Sequence, residues 1–167
     1  MSSGGKLLSH THIFPSSNVT PCKEGDIKIE TASWRDMQFI RTIEQEAYPQ
    51  DAYPFLELLG MLTLPGFVRI KANVNNQLAG FIFAEGFTDS EYDWITAIRV
   101  SKAYQRCGIA TQLILNGEKH LKKNIIRLCA RVSNHPAILL YTKCGYKEVT
   151  TWKNYYHDGE DAVVMEK

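Results

Sequence analysis

The chain has 167 residues, with 19 basic side chains against 18 acidic ones and a formal charge of +1. That length suits one domain able to bury a core, and the charge balance gives no electrostatic case for nucleic acid or an anionic membrane as a partner. No apolar run approaches the roughly 20 residues that a membrane helix needs, and the N-terminus lacks the charged-then-apolar layout of a secretory signal.

Residues 1–25 are rich in Ser, Gly, Thr and Pro without a sustained period, so they read as a flexible leader, and 26–167 as a single domain. His10 and His12 lie in that leader without a further ligand cluster, so no metal site is expected. "DIKIETA" alternates and reads as a strand. Ser33 is placed to cap a helix from Trp34 to about Ala47, with Met37, Ile40 and Ile43 on one face, and Pro49 ends it. A second short helix near Phe55 to Leu62 is broken by Pro65-Gly66. "FVRIKANV", Asn75-Asn76 and "QLAGFIFAE" make a hairpin, and "DWITAIRV" is the next strand. A helix follows from about Gly108 to Lys122, with Ala110, Leu113, Ile114 and Leu121 facing inward. "IIRLCARV" is a buried strand. The helix over "HPAILLYTKC" has Asn134 at its cap, Pro136 in its first turn and Gly145 at its end. "YKEVTTWKN" and "DAVVMEK" close the chain as a hairpin. The order is β-α-α-β-β-β-α-β-α-β-β, an α/β domain with a mixed sheet. The four cysteines form no CxxC pair, and three sit in apolar periodic segments; this argues against a disulfide framework or zinc site and for a reducing cytoplasm.

Between the strand "DWITAIRV" and the helix from about Gly108 stands "YQRCGIA", residues 104–110. A strand stops there and a helix starts, so the first helical N–H groups have no internal partner and point outward at the positive end of the helix dipole. Gly108 lets backbone approach a ligand, the small Ala110 leaves room, and Gln105 and Arg106 add donors at the rim. This reads either as an anion cradle or as a tight turn with a solvated arginine.

"QRCGIA" resembles the Q/R-x-x-G-x-G/A signature of the GCN5-related N-acetyltransferases, with Gln105, Gly108 and Ala110 in the defining places. "ITAIRV" resembles the strand of that family that pairs with pantetheine, and "RVSNHPAILLYTKCGY" its S/N-x-x-A-x-x-L-Y-x-x-x-G-F/Y block. The tail "NYYHDGEDAVVMEK" is similar to the ending of the protein N-terminal acetyltransferases, those of ribosomal-protein alanine included. The resemblance covers about 27–167 and implies a mixed, mostly antiparallel sheet of about seven strands flanked by about four helices. It implies acetyl-CoA as cofactor, with Cys107, Gly108, Ile109, Ala110 and Thr111 around the pyrophosphate beside Gln105 and Arg106. Ile98, Arg99, Val100 and Asn134 would then run along the pantetheine arm.

The implied chemistry is attack of a neutral amine on a thioester, which needs a route for the amine proton and an acid for the leaving thiolate. Tyr141 stands where the family has its conserved tyrosine, whose phenol carries a proton at neutral pH and can serve as that acid; the alternative is a core tyrosine. The resemblance expects a glutamate or histidine on the strand before "SN", yet Cys129 stands there, and a thiol in apolar surroundings is a poor base. Glu44, Glu46, Asp51, Glu91 and Asp93 are the replacements in reach, with Glu46 and Asp51 foremost; ordered water is a further route. Tyr155 and Tyr156 fall in the hairpin that clasps peptide in the resembling enzymes, or else pack against each other across strands, and Tyr53 would close the opposite wall. The acceptor is expected to be a protein or peptide α-amine, with a small amine such as a polyamine or amino-sugar as alternative, or else the chain is an acyl-CoA sensor. A monomer and a homodimer are both open.

Overall fold

The computed structural model describes residues 26–47, 49–86 and 90–167. The expected leader, with His10, His12 and Cys22, lies outside these residues. The elements are β1 (Ile27–Thr31), α1 (Met37–Ala47), α2 (Phe55–Thr63), β2 (Phe67–Val74), β3 (Gln77–Glu85), β4 (Asp93–Val100), α3 (Ile109–Glu118), β5 (Ile126–Arg131), α4 (His135–Lys143), β6 (Lys147–Trp152) and β7 (Ala162–Glu166). They form a seven-stranded sheet in the order β1-β2-β3-β4-β5-β7-β6. Every pairing is antiparallel except β4 with β5. The sequence order of elements and the mixed, mostly antiparallel sheet are as expected.

Two apolar clusters hold the layers together. Ile82, Leu113, Ile114, Leu128 and Met165 lie in the one under α3 and α4; Ile40, Ile43, Leu58, Phe81 and Phe83 lie in the one under α1 and α2. The hairpin turn falls at Asn75-Asn76, both with positive φ (50° and 62°), as a two-residue turn between twisted strands requires. Gly117 lets α3 lie close to the sheet, because a Cβ there would stand 2.9 Å from Ile82 Cδ1.

Two helix boundaries differ from the sequence reading. Trp34–Asp36 is a 3-10 turn, and the α-helix proper starts at Met37. Ser33 and Asp36 form a reciprocal capping box there, with Ser33 N–H donating to Asp36 Oδ2 at 2.8 Å. The third helix ends at Glu118, not Lys122, so Leu121 packs on the core from the connecting loop. The cause is Asp93, whose buried Oδ2 accepts the N–H groups of Lys122 and Lys123 at 2.6 and 3.0 Å and pulls the chain out of the helix. Asp93 is thereby a structural carboxylate and is removed from the possible bases.

Two features of β4 position the site. First, β4 and β5 pair only at Asp93↔Ile126 and Trp94↔Arg127, after which the strands splay. Second, a bulge shifts the β3–β4 register so that Phe83 faces Ala97 while Ala84 faces Ile95, leaving Thr96 as the extra residue.

Candidate active site

The splay opens a cleft of about 730 Å³ that runs from the start of α3 to the α1–α2 loop and the β6–β7 hairpin. Arg99 aligns with Phe81 in the β3–β4 ladder, while the carbonyls of its neighbours point away from β3. Ile98 O takes Arg99 Nη1 at 3.1 Å and Val100 O takes Gln105 Nε2 at 3.4 Å. Since the N–H and C=O of one residue share a side of a strand, Ile98 and Val100 present both groups to the splay.

At the mouth, the turn before α3 carries two left-handed residues, Arg106 (φ 63°) and Gly108 (φ 78°), with Gly108 as the helix N-cap. Its carbonyl accepts the N–H of Gln112 at 3.1 Å, so the N–H groups of Ile109, Ala110 and Thr111 precede the first helical bond. A Cβ built on Gly108 meets nothing within 4 Å. The glycine is therefore kept for its φ and for the open space beside it, which is the shape a pyrophosphate needs. Gly108→Val is expected to weaken acetyl-CoA binding about tenfold or more in calorimetric titration, since a β-branched residue resists positive φ and its methyls fill that space.

Of the expected cofactor residues, Ile98, Arg99, Val100, Gln105, Ala110, Asn134 and Tyr141 line this one cleft. Asn134 Oδ1 caps α4 by accepting Ala137 N–H at 3.2 Å. Arg106, Cys107, Gly108, Ile109 and Thr111 form the adjoining turn and first helical turn. Tyr141 is 9 % exposed and sits edge-on to Tyr146, ring centroids 6.2 Å apart.

The far wall holds Tyr53, Tyr155, Tyr156 and Cys129. Tyr53 donates its hydroxyl to the carbonyl of the bulged Thr96 at 3.0 Å, and burial pushes its pKa up to about 12. Burial likewise pushes the Cys129 thiol up, with the neighbouring hydroxyls of Tyr156 and Tyr155 as a smaller opposing effect. Tyr155 and Tyr156 are also held above the ordinary phenol range, first by burial and then by that sulfur. All four groups are thus held in their neutral forms.

The expected bases are placed elsewhere or engaged. Glu46 lies outside the cleft lining and takes a long 3.4 Å contact from Ser101 Oγ. Glu44 is 1 % exposed under α1, 3.3 Å from Arg99 Nε; burial raises its carboxyl above the usual range, and Arg99 pulls it partly back. Asp51 does line the cleft, but both its oxygens accept from Arg131, Nε and Nη2 each at 2.7 Å. Glu91 is exposed and absent from the lining.

Arg131 is the residue that sequence reasoning missed. It is 6 % exposed at the end of β5, and its Nη1 also reaches Asp158 at 2.8 Å and Glu160 at 2.6 Å. The guanidinium lies 4.0 Å from the Tyr156 ring centroid. Glu160 spends its other oxygen on the N–H of Ser133 at 2.9 Å. One side chain thus ties the α1–α2 loop to the β6–β7 hairpin, the two walls of the cleft. The signal was an arginine at the end of an apolar strand in a chain whose last turn is "HDGED".

A sheet that splits between its two parallel strands, with the open N–H groups of a helix start at the split and Tyr141 inside it, offers the kind of crevice in which open α/β sheets bind their ligands. The chain belongs to the acetyltransferase (GNAT) family, whose model matches residues 29–146, and it takes its acetyl group from acetyl-CoA. It is 33% identical over 157 residues to an N-alpha-acetyltransferase of Saccharolobus solfataricus, covering 86% of this chain and 93% of that one. The counterpart of Sulfurisphaera tokodaii is 34% identical over 160 residues, covering 86% and 93%. The crystal structure of the ribosomal-protein-S18-alanine N-acetyltransferase from Escherichia coli superposes with a TM-score of 0.73 at 26% identity, over 84% of this chain and 92% of that one. No helix among the described residues is long and apolar enough to cross a membrane.

Proposed function

We propose that the chain acetylates the α-amine of a polypeptide N-terminus. The observation that carries this reading is the far half of the cleft. Its two walls come from separate loops and are fixed by Arg131, and between them stand the neutral hydroxyls of Tyr155 and Tyr156. A half-exposed Tyr155 and a neighbouring phenol suit the carbonyls and N–H groups of an extended main chain, which a small amine lacks. The named relatives act on α-amines, in keeping with that geometry.

In this reading the amine loses its proton before it attacks. Arg99 lines the cleft, and its positive charge reaches both Cys129 and Tyr53, where it favours the deprotonated forms. The same field disfavours an ammonium and favours the free amine. Asp51 is held bidentate by Arg131, so water in the cleft carries the proton away. Tyr141 holds the proton that the leaving thiolate takes up, and Ile98, Val100 and Asn134 orient the donor along the splay. The reading places the enzyme in the cytoplasm, as a monomer or homodimer, with no nucleic acid or membrane as partner.

The test is a mass-spectrometric competition in which the protein and acetyl-CoA meet peptides with free or blocked α-amines, together with spermidine. Label on free α-amines alone is expected. Label on spermidine alone would move the protein to the small-amine class, and label on nothing would leave an acyl-CoA sensor.

A further inference from the structure

A second recess, of about 330 Å³, opens off the cleft beyond Tyr155. It is lined by Glu85, Ser90, Tyr92, Trp94, Trp152 and Tyr155. Glu85, Trp94 and Tyr155 line the main cleft as well, so the two spaces are continuous. The register explains the grouping, since Glu85 faces Trp94 across the β3–β4 ladder just before the Thr96 bulge.

The rings form a continuous run. Tyr92 and Trp94 lie 6.1 Å apart, Trp94 stacks on Trp152 at 5.5 Å within 7° of parallel, and Trp152 meets Tyr155 at 5.2 Å. Tyr155 then meets Tyr156 of the far wall edge-on at 5.2 Å. Core packing does not account for this run. Trp152 is 39% exposed and Tyr155 51%, and every residue of β6 faces solvent. Large rings held in register yet left in water are the composition of a recognition surface.

Glu85 is the one carboxylate among the described residues of the recess. Burial pushes it above the ordinary range, and no cation among the described residues acts against that. Arg127 sits 4.1 Å from the Tyr92 centroid but is paired to Glu166 at 2.8 Å. The recess therefore combines aromatic walls with a carboxylate whose desolvation is not offset by a cation among the described residues. A guest that supplies both missing terms carries a positive charge on an apolar stem, because aromatic rings attract such cations and a carboxylate completes the pair.

We infer that this recess is a specificity subsite for a lysine or arginine side chain within the first few residues of the acceptor, held between Trp94, Trp152 and Tyr155 with Glu85 as its counter-ion. The inference rests on the α-amine reading above. It assigns the aromatic run to choosing among polypeptides. The chemistry at Tyr141 is untouched by it.

The test is steady-state acetylation of peptides that differ only in carrying lysine, norleucine or glutamate at positions two, three and four. At one of these positions, lysine is expected to give a KM about tenfold below that of norleucine at similar kcat, with glutamate the poorest, as a cation–ring contact plus a partly buried ion pair would produce. Glu85→Gln should bring the lysine-to-norleucine ratio to near one. Trp152→Leu, at a half-exposed position outside the main cleft, should shrink that ratio, because the cation loses a ring face that norleucine uses only as apolar surface. Equal KM values at all three positions, or a lysine preference that survives both substitutions, would overturn the subsite and leave α-amine acetylation standing. Failure of every peptide alongside turnover of spermidine would overturn the α-amine reading itself, and the subsite with it.

Discussion

Tyr141→Phe is expected to lower kcat by about a hundredfold or more while leaving the affinity for acetyl-CoA within a factor of about two, because a positioned general acid contributes factors of that order. The substitution removes one oxygen from a ring that is 9 % exposed and packed edge-on against Tyr146, so the shape of the cleft is kept. Tyr146 cannot take over, since its hydroxyl is donated to Glu118 at 2.9 Å and burial, then Glu118, raises its pKa far above the phenol range. Calorimetric titration of acetyl-CoA beside single-turnover kinetics reads the two effects apart. An unchanged kcat would remove Tyr141 from the chemistry; a matched loss of affinity would make it a binding residue.

Arg131→Met should destabilise the protein by roughly 3 kcal/mol, because it leaves carboxylates gathered around a vanished charge. The lower part of the range for broken buried pairs applies, since Asp158 is 51% exposed while Asp51 is 16% exposed. At this chain length that is a fall in Tm of about 6–10 °C by calorimetry. The same variant should release both cleft walls, so KM for the acceptor rises while acetyl-CoA still binds. The acid limb of stability changes too. Glu160 is lowered from its ordinary 4.5 to about 2 by the Ser133 contacts and Arg131, and Asp158 is lowered by the Glu160 N–H and Arg131. Depressed carboxyls contribute stability that is present above their unfolded values and lost as pH falls towards their folded ones. The wild type should therefore lose stability between about pH 4.5 and pH 2, and Arg131→Met should lose less over that window. Equal acid slopes in the two proteins would show that the cluster is not an energetic unit.

Much of this was legible because punctuation is local. Asn75-Asn76, Pro65-Gly66, Asn134 with Pro136, and Gly145 fixed turns and caps from residues within a few positions of one another. The turn that starts α3 was legible for the same reason, since Gln105 to Thr111 is one contiguous stretch. What was hidden depended on distant segments. The end of α3 is set by Asp93, 29 positions before Lys122. The role of Arg131 needs Asp51, 80 positions away, and Glu160, 29 away. The third concealment is one of parity. Read as plain alternation, "DWITAIRV" puts Trp94 with Ile98 and Ile95 with Arg99. The extra residue at Thr96 reverses the count, so that Ile95 and Ile98 share the cluster under α3 and α4, while Ala97 joins the one under α1 and α2. Trp94 and Arg99 consequently face the same side, with the acceptor end of the cleft between them. Nothing in the strand's own letters announces a bulge.

The splay between β4 and β5 also bears on how the protein survives when its substrate is scarce. A strand edge with exposed main-chain groups is a template for another chain's strand, and proteins guard such edges. Here the carbonyls of Ile98 and Val100 accept from the side chains of Arg99 and Gln105, place-holders that a stronger ladder can displace. On the proposed reading, pantetheine, which carries amide groups of its own, closes this interior edge. A ligand at about a hundred times its Kd adds about 2.7 kcal/mol to the folded state. On that reading acetyl-CoA joins the chain as an unlinked eighth piece of sheet, and the supply of the metabolite is expected to set both how fast the enzyme works and how much of it stays folded.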